Sequence, residues 1–129
     1  MPDPLNQTHE VENHENALRA LTHNDWWKEK EKRISSAAFR YPKFSVDIES
    51  LTTTQITLSH FHEGTGIAKF NVGKARHIHF DTIHEQDPLS PENKAHAHVY
   101  FRKTNSQFKK KYARKLADMC SMLIPPTLP

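Results

Sequence analysis

Two stretches in the middle of the chain alternate apolar and polar residues, and this alternation limits the fold more than any other feature. Phe44, Val46 and Ile48 share one face of the first stretch, and Ala95, Ala97, Val99 and Phe101 share one face of the second. Successive side chains of a strand point to opposite faces, so the pattern predicts half-buried strands. Residues 66–72, before the break at Gly73, predict another strand.

Two more extended segments complete a predicted sheet of four to five strands. Residues 77–84 are rich in β-forming residues, and residues 34–39 form an extended entry into the core. Prolines, serine and asparagine make 85–93 a loop by composition, and a loop of this length favours an antiparallel hairpin between 77–84 and 94–101.

Helical spacing is clearest near the C-terminus. A stripe recurs there at helical intervals, and Pro125 and Pro126 stop it; its members are Phe108, Tyr112, Leu116, Met119, Cys120 and Leu123. A threonine cap predicts a short helix near 53–61. The N-terminal region predicts a weak helix over 11–21 and a short helix that begins at Asn24-Asp25.

These elements predict one α+β domain over residues 11–124, between a flexible tail (1–10) and a C-terminal tail (125–129). The small, mainly antiparallel sheet is expected to be covered on one face by the C-terminal helix and the helix near 53–61. The N-terminal helical segment is expected at the edge or against a partner. The predicted core is Phe44, Val46, Ile48, Ile67, Phe70, Val72, Ile78, Phe80, Val99, Phe101, Leu116 and Cys120.

Composition limits the kinds of partner and the cellular location that we expect for this chain. The net charge of +3 permits an acidic partner such as nucleic acid without demanding one, and ten histidines make the charge sensitive to pH. A single cysteine rules out an intramolecular disulfide. No apolar run approaches about 18 residues and the N-terminus lacks signal-peptide features, so no membrane contact and a cytoplasmic location are expected.

Histidine placement is the main chemical signal. His77 and His79 would share one face of their strand, and His96 and His98 one face of theirs. If both faces point to the same side, four imidazoles gather in one patch, and the parity of the register decides this. Such a patch can bind a divalent metal through His77, His79, His96 and His98. It can also perform acid–base catalysis, with His79, His96 and His98 as catalytic residues, or consist of half-exposed sheet residues alone.

Two basic features favour anions. Arg33 and Ser35, together with Arg76 and Lys94, are candidate ligand or anion contacts, although surface ion pairs or solvated charges are the commoner explanation for such residues. The outer face of the C-terminal helix is basic and can follow a nucleic-acid backbone or simply be solvated; it carries Lys109, Lys110, Lys111, Arg114 and Lys115. Nucleotide-binding glycine loops and common hydrolase motifs are absent from the sequence.

The segments 33–39, 42–48 and 87–98 together resemble a family of small uncharacterised bacterial proteins. The resemblance covers about residues 26–120. It implies a bacterial, cytoplasmic protein, and it implies that the three segments belong to one site or one core. It implies no particular activity.

Two functions are consistent with these patterns. The first is a binding or accessory protein that contacts a protein or nucleic-acid partner through a basic, histidine-rich surface. The absence of a complete catalytic motif and the pair Trp26-Trp27 in a polar segment favour it. The second is a histidine-dependent enzyme that acts on a phosphodiester or another phosphate-bearing substrate, with or without a metal. The sequence leaves cofactor and oligomeric state open.

Overall fold

The computed structural model describes residues 9–39, 42–102 and 109–129. The strands in these ranges are β1 (His9–Glu10), β2 (Asn16–Leu21), β3 (Trp27–Lys28), β4 (Arg33–Ile34), β5 (Lys43–Ile48), β6 (Gly66–Asn71), β7 (Phe80–His84), β8 (His96–Phe101) and β9 (Ser121–Ile124). The helices are α1 (Thr54–Leu58), α2 (Val72–Arg76) and α3 (Lys109–Met119).

One antiparallel sheet forms the body of the protein. Its order is β1-β7-β8-β5-β2-β6-β9, and β3 and β4 form a separate hairpin. Every neighbouring pair in both sheets is antiparallel. The α+β class with a mainly antiparallel sheet and a C-terminal helix is therefore confirmed, while the main sheet has more strands than the four to five expected.

The helix predicted over residues 11–21 is wrong, because Asn16–Leu21 forms β2. This strand lies between β5 and β6 in the middle of the sheet. Both of its faces are covered, so Ala17 and Leu18 are buried on opposite faces. A strand that is apolar on both faces loses its period of two, and its sequence then imitates helical spacing.

The short helix predicted from Asn24-Asp25 is also replaced by extended structure. A single 3-10 turn over Asn24–Trp26 leads into β3, which pairs with β4. Trp26 is buried in the core, and Trp27, the first residue of β3, is half-buried and packs against the core. Trp26 ends the 3-10 turn and Trp27 begins β3, so the two adjacent rings lie in different environments.

The core lies between one face of the sheet and α3. Phe44, Phe70, Phe80 and Phe101 are buried there, and the ring centroids of neighbouring pairs are 5.2–6.4 Å apart. The same cluster includes Ala113, Leu116 and Ala117 of α3. Of the predicted core, Ile78 and Cys120 are only partly buried.

The opposite face of the sheet carries α1, contrary to the prediction that both helices share one face. Thr53 caps α1 as expected, accepting a hydrogen bond from the Ile56 amide at 3.1 Å. Thr57 then donates to Asp47, which points away from the α3 side of β5. Because a buried carboxylate needs donors, this pairing holds α1 on the second face.

The predicted C-terminal stripe divides between two elements. The helix ends at Met119, and Ser121–Ile124 pairs with β6, which would otherwise be an open sheet edge. Leu123 is therefore 38% exposed on β9 instead of buried in a helix. Phe108 lies outside the described residues.

Both predicted tails make contacts where they are described. His9 and Glu10, which the sequence assigns to the tail, pair with β7 as β1. After β9, the Thr127 amide donates to the Gly64 carbonyl at 2.7 Å, and Asn24 exchanges two hydrogen bonds with the backbone of Leu128. Within the described ranges, no helix is both long and apolar enough to cross a membrane.

Candidate functional site

The structure does not bring the four histidines together. The strand predicted over 77–84 begins only at Phe80, and His77 and His79 lie in the turn after α2. His79 has a φ of 72°, and its ring meets Tyr112 of α3 at 4.9 Å. Left-handed backbone at His79 breaks the alternation, so the same-face argument for His77 and His79 is wrong.

The second pair behaves as predicted. His96 and His98 lie on the same face of β8, with ring centroids 4.7 Å apart. In the register with β5, His96 is opposite Asp47 and His98 is opposite Ser45. This face is the one that α3 leaves uncovered, so the paired histidines lie on the second side of the sheet.

The ring of His96 is fixed by the backbone. Its Nδ1 lies 2.6 Å from the carbonyl oxygen of Glu85, and a carbonyl can only accept, so Nδ1 carries the proton. When the imidazole is neutral, Nε2 is then the basic nitrogen. His96 is 8% exposed and lines a cleft described below, where such a nitrogen can accept a proton or a hydrogen bond.

Asp47 is a buried carboxylate held by two neutral donors. Thr57 Oγ1 donates to Oδ2 at 2.7 Å, and Asn93 Nδ2 donates to Oδ1 at 3.0 Å. No lysine, arginine or histidine among the described residues forms an ion pair with it. The carboxylate is thus oriented from both sides by donors that carry no charge.

His98 is biased toward its neutral form. Burial lowers the pKa of His98, and the neighbouring His96 and Lys43 lower it further, against an opposing effect of Glu85. Its Nδ1 lies 3.4 Å from Glu85 Oε1, but the geometry is not that of a hydrogen bond. Protonation therefore costs the folded state more than the unfolded chain.

This shift predicts that acid destabilises the fold through His98. In the unfolded chain the imidazole takes up a proton near its ordinary pKa of about 6.5. The folded state resists that proton, so the free energy of unfolding should fall as pH drops from about 7.5 to about 5. Urea unfolding at several pH values should show a shallower fall for His98→Gln than for wild type. His77→Gln, at an exposed turn position, should keep the wild-type dependence; equal slopes in all three proteins would contradict the assignment.

Tyr100 continues the same face of β8 beyond His98. Its hydroxyl donates to Glu85 Oε1, and this hydrogen bond, with burial and the carboxylate charge, raises the pKa of Tyr100 to about 12. Lys43 Nζ lies 5.7 Å from the centre of the ring, and Arg102 Cζ lies 4.9 Å from it. Lys43, His98, Tyr100 and Arg102 are called the Tyr100 surface below.

A cleft opens beside this surface because β2 and β5 separate. The two strands pair at Ala17 with Ile48 and at Leu18 with Asp47, and beyond these positions Arg19 Nη1 spans the gap to the Ser45 carbonyl at 3.1 Å. The gap, α1 and the loop before β8 enclose a volume of about 490 Å³, here called the β2–β5 cleft. Residues that line it include Trp26, Ser45, Asp47, Phe61, Asn93 and His96.

The predicted anion contacts do not form one site. Arg33 pairs with Asp118 at 3.3 Å, and Ser35 caps the 3-10 turn that follows it. Arg76 donates to Asp81 at 2.8 Å and to Asn13 and the Thr82 carbonyl. Lys94 is exposed at the end of the loop before β8. Arg33 and Arg76 are therefore engaged in separate ion pairs.

The metal hypothesis finds no assembled ligand set. In the part of the chain that the structure describes, no three His, Cys, Asp or Glu side chains are arranged to hold a metal ion.

The outer face of α3 presents Lys110 and Lys115 as exposed residues. Lys115 Nζ lies 5.3 Å from the ring of Tyr112, so this helix is a second basic surface, separate from the Tyr100 surface.

Sequence reasoning missed Asp47, Glu85 and Asn93 as site residues. Asp47 is the acidic residue in the alternating stretch 44–48, so its position on the polar face was visible. Its burial depends on α1 and on the loop that brings Asn93 across from 46 residues away, which no local pattern reveals.

Comparison with protein families, characterised proteins and solved structures finds no match to this chain.

Proposed function

We propose that the protein binds single-stranded nucleic acid across the Tyr100 surface, with the β2–β5 cleft at one end of the path. The observation that carries the proposal is the position of Tyr100 between two cations, Lys43 and Arg102, on the sheet face that α3 leaves uncovered. Single-stranded nucleic acids are held by aromatic planes for the bases and by cations for the backbone.

The arrangement provides both kinds of contact. Arg102 is 55% exposed at its side chain and stacks over Tyr100, so it offers a flat cationic plane on which a base can lie. Lys43 is exposed on the neighbouring strand and can neutralise a phosphate. Asp81 is 3.7 Å from Arg102 but makes its shorter ion pair, at 2.8 Å, with Arg76. Arg102 is thus available to a phosphate or a base.

Binding of a labelled oligonucleotide tests the proposal. Fluorescence anisotropy with single strands of about twelve nucleotides should show binding that weakens as salt rises from about 50 to about 200 mM. Tyr100→Ala should weaken binding about tenfold or more, because Arg102 loses the ring that supports its guanidinium plane and an aromatic stacking contact is worth about 1–3 kcal/mol per base. The double variant Lys43→Ala, Arg102→Ala should bind more weakly and depend less on salt.

The matched control removes two lysines from the other basic surface. Lys110→Ala with Lys115→Ala takes the same charge from the outer face of α3, and it should retain most of the wild-type affinity. No binding at low salt would overturn the proposal. A larger loss in the α3 variant than in the Lys43, Arg102 variant would move the interface to α3.

A second candidate function is supported by the fixed ring of His96. A neutral imidazole with its Nδ1 proton on a carbonyl presents a basic Nε2 to the cleft, as a general base requires. The ring centroids of His96 and His98 are 4.7 Å apart, so these two histidines could act together in cleaving a phosphodiester, without His77 or His79. The bound oligonucleotide would then be a substrate.

Incubation of an end-labelled RNA strand with the protein separates the two functions. Cleavage products on a denaturing gel, lost in both His96→Ala and His98→Ala while circular dichroism shows an intact fold, would establish the enzyme. Intact RNA after prolonged incubation with saturating protein would exclude cleavage of that substrate and leave binding.

A further inference from the structure

We infer that the β2–β5 cleft is a base pocket that selects guanine, through the carboxylate of Asp47. The inference rests on the proposed nucleic-acid binding for its biological setting, but it concerns Asp47 and its neighbours; only Lys43 belongs both to the lining of the cleft and to the Tyr100 surface. Its starting point is a buried carboxylate that lines a cleft and forms no ion pair with any described residue.

Asp47 has capacity for one more hydrogen bond on each oxygen. An ionised carboxylate is an acceptor only, with about four lone-pair positions. Thr57 occupies one position on Oδ2, and Asn93 occupies one on Oδ1. The two neutral donors fix the plane of the carboxylate, and a ligand with two adjacent N–H groups can take the remaining positions in a bidentate pair.

Guanine alone among the common bases has two adjacent donors on its pairing edge, at N1 and N2. Adenine and cytosine place a ring acceptor beside their amino group, and uracil places its single N–H between two carbonyl oxygens. Each of these puts a lone pair against the carboxylate, which costs binding energy because the buried acceptor is left unpaired. Ser45, two residues before Asp47 on the same strand face, offers a hydroxyl donor to the guanine O6.

The rest of the cleft suits a flat heteroaromatic ring. Its volume of about 490 Å³ is in the ordinary range for small-ligand sites. The rings of Trp26, His60 and Phe61 line it, and Phe61 is 42% exposed. Aromatic walls around one oriented carboxylate match the combination by which proteins hold an unstacked base.

Isothermal titration with free mononucleotides tests the inference directly. GMP should bind wild-type protein at least about tenfold more tightly than AMP, since a bidentate pair discriminates by about 1–3 kcal/mol. IMP lacks the N2 amino group, and 1-methyl-GMP lacks the N1 proton, so both should bind more weakly than GMP. Asp47→Asn should lose the preference. Equal affinity for GMP, IMP and AMP, or a GMP preference that survives in Asp47→Asn, would overturn the inference.

The two proposals fail separately. If an all-thymine oligonucleotide binds in a Tyr100-dependent way but the mononucleotides show no preference, only the guanine pocket is wrong. If GMP is preferred while no oligonucleotide binds through the Tyr100 surface, the nucleic-acid interface is wrong and the pocket stands. The nucleotide comparisons use wild-type protein, so a poorly folded Asp47→Asn variant would not prevent the test.

Discussion

Replacing Phe80 by alanine should lower the free energy of unfolding by about 3–5 kcal/mol, because truncating a buried phenylalanine removes its burial and leaves a cavity. Phe80 is 2% exposed, stacks on Phe101 at 5.2 Å and lies 6.2 Å from Phe44. It connects β7 to the aromatic centre of the core. Urea unfolding followed by circular dichroism gives the value.

Phe61→Ala is the matched control for this substitution. It removes the same side chain at a position that is 42% exposed, so the expected loss is within about 0.5 kcal/mol. A loss below about 1 kcal/mol for Phe80→Ala would show that the sheet does not pack around this ring as described.

The second large effect is expected at Gly66, where β6 meets the end of the chain. A Cβ atom placed on Gly66 would lie 2.5 Å from the Ile124 carbonyl oxygen and 2.6 Å from the Pro126 nitrogen. Both are backbone atoms that cannot rotate away, so Gly66→Ala should push β9 from the sheet and destabilise the fold by about 1–3 kcal/mol.

Hydrogen exchange measures where this damage falls. In Gly66→Ala, the backbone amides that form hydrogen bonds between β6 and β9 should lose protection from exchange. The amides that form hydrogen bonds between β5 and β8 should keep their protection. Ser121→Ala changes an exposed side chain of β9 without touching the backbone contact, so its protection should match wild type. Full protection of β9 in Gly66→Ala would contradict the close approach.

The local sequence pattern was sufficient to predict those elements that have one apolar and one polar face. β5 and β8 each bury one apolar face along their length, and the other face is buried only at Asp47 and His96, so their alternation identified both strands and placed His96 and His98 together. The cap at Thr53 likewise identified α1. Where tertiary contacts decide the structure, the pattern was insufficient: β2 is covered on both faces, and β9 is a strand because the edge of β6 accepts it.

The candidate site shows the same contrast between residues that a local pattern predicts and residues that tertiary contacts bring together. The pair on β8 was visible in the sequence, whereas the cluster with His77 and His79 required that 77–84 be one regular strand. The positive φ at His79 ended that regularity before Phe80. Asp47, Asn93 and Glu85 reach β8 from separate parts of the chain, so their contribution depends on register and loop path, which one sequence does not specify.

The Tyr100 surface and the β2–β5 cleft adjoin each other, so we propose that one nucleic-acid strand can contact both. Along β8, His98 lies between Tyr100 and His96, and His96 lines the cleft. A strand that crosses Tyr100 could therefore place a neighbouring base over the cleft, while its phosphates face Lys43 and Arg102.

Photo-crosslinking directly identifies the residues of the protein that contact a single-stranded nucleic acid. A single-stranded RNA that carries 4-thiouridine at each position in turn would be irradiated with the wild-type protein, and crosslinked peptides would be identified by mass spectrometry. We expect adducts on the peptides that contain Lys43 and Tyr100, with a weaker yield in Tyr100→Ala. Adducts confined to α3, or none on β5 and β8, would contradict this expectation.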